Sequence, residues 1–260
     1  MQVNSLVLVV EFMTCVSSKL RGYALSSPSI KLERPLWISD IACIVTCPYK
    51  FYLRFCGFRF MDNIAILYGK LLHRVRQLVA LSDLESPFSS IRERKDFLTS
   101  KLASILEQAY SELNVSKGSF KIPSYILRNI IKLQGSLPKP SFVEVEVRIE
   151  VDLGLVGIID LVINGAPFEL KVSSPSKEDE VQLTWYVLLL ERKFNEPIDM
   201  GYIEYLNKGI RRIIYVDDDL RLKALKCWKK ALEFIYVPPS LTRSTYCRRC
   251  IYKSLCSLLL

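Results

Sequence analysis

The chain has 260 residues, 50% apolar and 24% charged, long enough to bury a core and too apolar to be disordered. Lys and Arg outnumber Asp and Glu by 36 to 27, and the resulting charge of +9 suits a polyanionic partner, with nucleic acid ahead of a membrane surface. The one membrane-like stretch near the start, Leu6 to Phe12, is too short to span, contains Glu11 and has no basic segment before it. The expectation is a cytoplasmic protein without a membrane partner.

Residues 1–38 read as an N-terminal extension, its first thirty residues as a strand or extended segment. Ser39 or Asp40 can cap a helix running from Ala42 to about Tyr52, with a break after Thr46 because Pro48 cannot continue it. A second helix is expected over Asn63 to Leu81, with Leu67, Leu71, Val75 and Leu78 as its apolar stripe. A polar helix over Arg92 to Leu113 and a helical core around Tyr125 to Lys132 make residues 82–140 a helical insertion.

From Phe142 the period changes to two. Val143, Val145, Val147 and Ile149 alternate with charged residues as one half-buried strand face. Strands over Leu155–Ile163 and Phe168–Val172 follow, joined by the turn-forming Asn164-Gly-Ala-Pro167. Ser176 with Asp179 resembles a capping box opening a helix through Arg192. A hairpin over Met200–Tyr205 and Ile210–Val216 and a helix over Asp218–Tyr236 lead to a cysteine-rich tail, residues 237–260.

An antiparallel hairpin with an even loop places residues summing to 331 opposite each other, so Asp160 would face Lys171. Glu169 shares that face, because strand side chains repeat every two residues. Two carboxylates and an ammonium then share one side of the sheet. The carboxylates can hold Mg²⁺ or Mn²⁺, and the lysine can orient water or offset phosphate charge. A surface salt bridge is the plainer reading of an isolated Asp…Glu-x-Lys. His73, the single histidine, would be structural if alone, and gains weight as a ligand if it reaches the same metal. Gln182 and Tyr186 lie one helical turn apart and can bond a phosphate or the lysine, or merely form a polar stripe. Glu144 and Glu146 share one side of their strand; either could join the site, but a solvated face is the plainer reading.

Eight cysteines in a cytoplasmic chain favour metal ligation or buried thiols over disulfides. Cys247, Cys250 and Cys256 can converge on one centre and need a fourth ligand. Cys47, about two hundred residues upstream, is the natural donor and Cys43 its rival. Cys56 is less suited, while Cys15 and Cys227 read as buried thiols. Zinc is the alternative to an iron–sulfur cluster.

Taken together, Cys47-Pro-Tyr-Lys-Phe, Gly69-x-x-x-His73, Gly157-Ile-Ile-Asp160, Glu169-Leu-Lys171, Gln182-x-x-x-Tyr186 and Cys247-x-x-Cys250-x₅-Cys256 resemble the RecB-like branch of the PD-(D/E)XK nucleases. Within it the pattern looks most like the CRISPR-associated exonuclease family, the fourth of the Cas families. The resemblance implies an α/β fold with a mixed central sheet flanked by helices, formed by residues 39–260 as a single domain. It implies a [4Fe-4S] cluster on Cys47, Cys247, Cys250 and Cys256. It also implies Mn²⁺ or Mg²⁺ bound by His73, Asp160, Glu169 and the Leu170 carbonyl, with Lys171 catalytic. The implied activity is 5′ to 3′ cleavage of single-stranded DNA during spacer acquisition, alongside the CRISPR integrase proteins. An assembly module of the adaptation complex and a subunit of a helicase–nuclease machine are the alternatives. A homo-oligomeric ring would suit a basic nuclease acting on strands.

Overall fold

A computed structural model of the protein describes residue 32 and residues 34–58, 64–116, 118, 120–151, 153–241, 247–248 and 250–259. The expectations for Leu6 to Phe12, Cys15 and the rest of residues 1–31 lie outside the described residues.

Six strands form one mixed sheet: β1 (Leu36–Trp37), β2 (Val143–Val151), β3 (Leu155–Ile163), β4 (Ala166–Lys171), β5 (Met200–Tyr205) and β6 (Ile210–Tyr215). Its order is β1-β3-β4-β5-β6, with β2 paired to β3. The β1–β3 and β4–β5 pairs are parallel and the others antiparallel. The sheet thus takes in Leu36 and Trp37, from the stretch before residue 39.

The expected break near Pro48 falls into three pieces: α1 (Ile38–Ala42), a 3₁₀ turn (Cys43–Val45) and α2 (Pro48–Phe55). Pro48 occupies the first turn of α2, where its missing N–H has no helical partner to lose. Then come α3 (Ile64–Leu84), α4 (Ile91–Glu112), α5 (Ser124–Gly135), α6 (Lys177–Phe194), α7 (Asp218–Tyr236) and α8 (Lys253–Leu259). Helix α6 crosses between the parallel strands β4 and β5. Its Ser176 and Asp179 form the capping box expected from the sequence.

The sheet separates two apolar layers. On one side α1, α6 and α7 pack Ile41, Trp185, Leu189 and Trp228 against Val147, Ile149, Leu155 and Ile159. On the other, α3 brings Ala80 against Val143, Leu161, Ile163 and Phe168, and α3, α4 and α5 share an adjoining core with Leu170. Val143 and Val147 therefore lie in different layers, although strict alternation puts them on one face. The strand turns over between them at Glu146, which has a left-handed φ of 50°. The registered pairs flank but skip Glu146 and Asp160, so the change of face coincides with the acidic residue of β3.

Buried ion pairs dock the helical layer. Arg76 of α3 grips Glu204 of β5 at 2.6 and 3.1 Å and donates to Gln134 of α5 at 2.8 Å. Gln134 continues to Asp83, which Arg94 of α4 also holds.

Candidate active site

The turn between β3 and β4 contains two residues rather than the expected four. Asn164 and Gly165 both adopt positive φ, 50° and 81°, which gives the tight turn whose twist suits a hairpin. Pro167 belongs to β4 and pairs with Val162. Registered residues sum to 329, so Asp160 falls in register with Glu169 and not with Lys171. The parity is unchanged, and the three side chains still come together.

Ladder pairing between β3 and β4 ends at Leu161 and Phe168, immediately before the acidic residues. Asp160 Oδ2 accepts from the Leu170 amide at 2.8 Å, taking the place of a ladder partner where the strands part. From the α3 side His73 Nδ1 lies 3.3 Å from Asp160 Oδ1, and Gln77, one turn on, donates to the Asp160 carbonyl at 2.9 Å. From the α6 side Lys171 Nζ sits 2.6 Å from Glu169 Oε1 and donates to Gln182 Oε1 at 3.0 Å. Gln182 in turn donates to Tyr186 Oη at 2.8 Å. Gly157 lets β3 and α6 approach: a Cβ there would meet Leu189 at 2.7 Å and the Tyr186 ring at 3.4 Å. Of the three readings for Gln182, the contact present is the one with the lysine.

Charge and burial oppose each other in this group. Burial pushes Glu169 up to about 7 despite the Lys171 ammonium beside it. Burial acts on Asp160 too, but His73 and the Leu170 amide more than offset it and hold the carboxyl below its usual range. Burial would push Lys171 down, yet Glu169 and then Asp179 raise it, so it stays an ammonium. The Asp160 carboxylate likewise raises His73 against its burial.

No three His, Cys, Asp or Glu side chains converge on one point among the described residues. His73 engages one oxygen of Asp160, and Lys171 one oxygen of Glu169. The second oxygen, Glu169 Oε2, is buried with no hydrogen-bond partner. An orphaned carboxylate oxygen beside a second carboxylate and an imidazole is a donor set that fits a hard divalent cation, and the residues present are compatible with one.

A cleft of about 510 Å³ runs from Lys171 and residues 173–176 to Cys47, Cys247 and Cys250, past Lys50, Arg54 and Glu178. Burial raises the Cys256 thiol, and Cys250, Cys47 and Cys247 raise it further, but no three of these cysteines converge as metal ligands among the described residues. Tyr252 ties the tail to the end of α2 by donating to the Phe58 carbonyl at 2.7 Å. The Cys43 thiol is buried and donates to the Ser39 carbonyl at 3.3 Å and toward Glu178 Oε2 at 3.7 Å, and burial pushes it up to about 11. Cys56 is exposed and Cys227 is buried in the core. Glu144 Oε2 is buried and unpartnered, against the solvated face expected for it, while Glu146 is exposed.

Two groups went unrecognised in the sequence. Glu178 accepts from Lys50 at 3.1 Å and from Thr46, joining α6 to the cysteine-bearing segment. Asp179, read only as a cap, lies 3.6 Å from Lys171. Its signal was spacing: three residues before Gln182, it shares a helix face with the lysine's other partner.

A split hairpin that presents Asp…Glu-x-Lys beside a helical histidine is the arrangement expected of a metal-dependent nuclease. The model of the PD-(D/E)XK nuclease superfamily matches residues 37–257, and the chain belongs to that superfamily. Its members use divalent metals such as Mg²⁺ or Mn²⁺. The CRISPR-associated exonuclease Csa1 of Saccharolobus solfataricus is 25% identical over 251 residues, covering 85% of this chain and 84% of that protein. The crystal structure of SSO0001 aligns with 84% of this chain and 97% of its own, at 17% identity and a TM-score of 0.33, too loose a superposition to bear on the site. Among the described residues no helix is long and apolar enough to cross a membrane.

Proposed function

We propose that the protein is a divalent-metal-dependent exonuclease for single-stranded DNA, cutting 5′ to 3′ and trimming ends for CRISPR spacer acquisition beside the integrase. In this reading a [4Fe-4S] cluster on Cys47, Cys247, Cys250 and Cys256 braces the fold. The observation that carries the catalytic assignment is Glu169, 3% exposed, with one oxygen on Lys171 and the other buried without a partner. Similarity to an exonuclease named as CRISPR-associated supports the biological role.

His73, Asp160, Glu169 and the Leu170 carbonyl would hold Mn²⁺ or Mg²⁺, which polarises a phosphoryl oxygen and acidifies bound water. The chain's own contributions are fixed in advance. The Leu170 amide sets the Asp160 carboxylate, and the imidazole of His73 sits against its other oxygen. Lys171, held as an ammonium by its acidic neighbours, can offset charge building on the phosphate. Gln182 and Tyr186 keep that ammonium aimed into the site.

Anaerobically purified protein with Mn²⁺ should degrade single-stranded DNA from a labelled 5′ end, and EDTA should stop it. A brown wild-type protein that binds DNA without cutting it would overturn the nuclease reading in favour of an assembly module. Cys250→Ala should lose its broad visible absorption and melt at lower temperature together, since the cluster would clamp α2 to the tail. A colourless wild type that holds zinc on the same thiols would replace the cluster assignment.

A further inference from the structure

Lys171 has more than one acidic partner. Besides Glu169 Oε1 at 2.6 Å and Gln182 at 3.0 Å, Asp179 Oδ1 stands 3.6 Å away. Asp179 is only 3% exposed, and its other oxygen is fully engaged. Oδ2 accepts from the Ser176 amide at 2.9 Å and from the Tyr205 hydroxyl at 3.0 Å. Those two donors come from the cap of α6 and from β5, so they pin the carboxylate to the helix and to the sheet at once. The remaining oxygen is the one near the lysine.

Glu169 faces two competing demands. It is the closest partner of Lys171, and on the reading above it also binds the metal. A cation on Glu169 weakens its hold on a neighbouring ammonium, because like charges then approach one carboxylate. We propose that Asp179 is a positioning residue that takes up the Lys171 ammonium, so that Glu169 can serve the metal while the lysine stays aimed at the phosphate. The inference rests on the nuclease reading, since it needs Glu169 to be a ligand. It extends that reading to a residue whose capping role alone would explain its place in the sequence.

Asp179→Asn separates the two roles. The Ser176 amide can only donate, so the asparagine must turn its carbonyl toward it, keeping the cap and presenting its NH₂ to Lys171. Ser176→Ala does the reverse, losing the cap hydroxyl and leaving the carboxylate. We expect Asp179→Asn to melt close to wild type, to bind Mn²⁺ about tenfold more weakly by calorimetry without DNA, and to cleave with kcat lowered at least tenfold at unchanged KM. Ser176→Ala should melt lower and keep both Mn²⁺ affinity and kcat. Glu180→Gln removes the same charge from the same turn, where Glu180 pairs with Arg212 at 2.8 Å, and should leave Mn²⁺ affinity near wild type.

A folded Asp179→Asn with wild-type Mn²⁺ affinity overturns the proposal, as does an equal loss in Glu180→Gln or Ser176→Ala. If wild type itself fails to cleave, the nuclease reading falls on that result. The Mn²⁺ measurements then decide the positioning role alone.

Discussion

Asp160→Asn should fold normally and lose cleavage by on the order of 10³-fold or more. The asparagine carbonyl can still accept from the Leu170 amide, which Asp160 now holds at 2.8 Å, so the parting strands keep their bridge. What disappears is the anionic oxygen that His73 faces at 3.3 Å. Asp160→Ala should be equally inactive but also less stable, by about 1–3 kcal/mol, because the Leu170 N–H loses its acceptor in a half-buried place. Rates on end-labelled DNA together with urea midpoints separate the effects. An Asp160→Asn protein that cuts at the wild-type rate would remove Asp160 from the catalytic machinery.

The second large effect is on stability, away from the chemistry. Glu204 is fully buried between Arg76, at 2.6 and 3.1 Å, and Arg211, at 2.6 and 3.0 Å. Glu204→Ala leaves Arg76 buried without its counter-charge and should cost about 3–5 kcal/mol. Arg76 lies one turn beyond His73 on α3, so the variant should also lose activity more steeply with temperature than wild type.

The same site gives a pH signature. Burial pushes Glu204 toward protonation, but Arg76 and then Arg211 more than offset it and hold the carboxyl below its ordinary 4.5. A carboxyl depressed by folding stabilises the native state above its unfolded pKa and ceases to as pH falls through the folded one. Wild-type urea midpoints should therefore drop as pH falls below about 4.5, and Glu204→Ala, already lower, should lack that part of the slope. Parallel acid slopes in the two proteins would contradict the assignment.

Local chemistry was legible in the sequence, and long-range geometry was not. Pro238 and Pro239 mark the end of α7, and the helix runs over the expected Asp218–Tyr236. Ser176 and Asp179 show their capping box for the same reason, since both partners lie within one turn. The reversal at Glu146 was hidden because alternation assumes a continuous pleat, and no glycine flags the left-handed residue. The β3–β4 register was off by two because Ala166 and Pro167 suit a turn as well as a strand start. Yet Asn164-Gly165 is itself the stronger two-residue hairpin signal. Sequence left the fourth thiol open between Cys43 and Cys47. In the fold the Cys43 thiol is buried against Ser39 and Glu178, while Cys47 itself lines the cleft with Cys247 and Cys250.

The two-residue tip of that hairpin also limits how the gene can change in length. Side chains alternate along a strand, so one codon inserted between Asn164 and Ala166 would swing Glu169 and Lys171 to the face away from Asp160 unless the strand bulged to absorb it. Two codons would restore the grouping. Length changes at this tip are thus favoured in even steps, and a single added residue would need such a bulge to keep Glu169 and Lys171 beside Asp160.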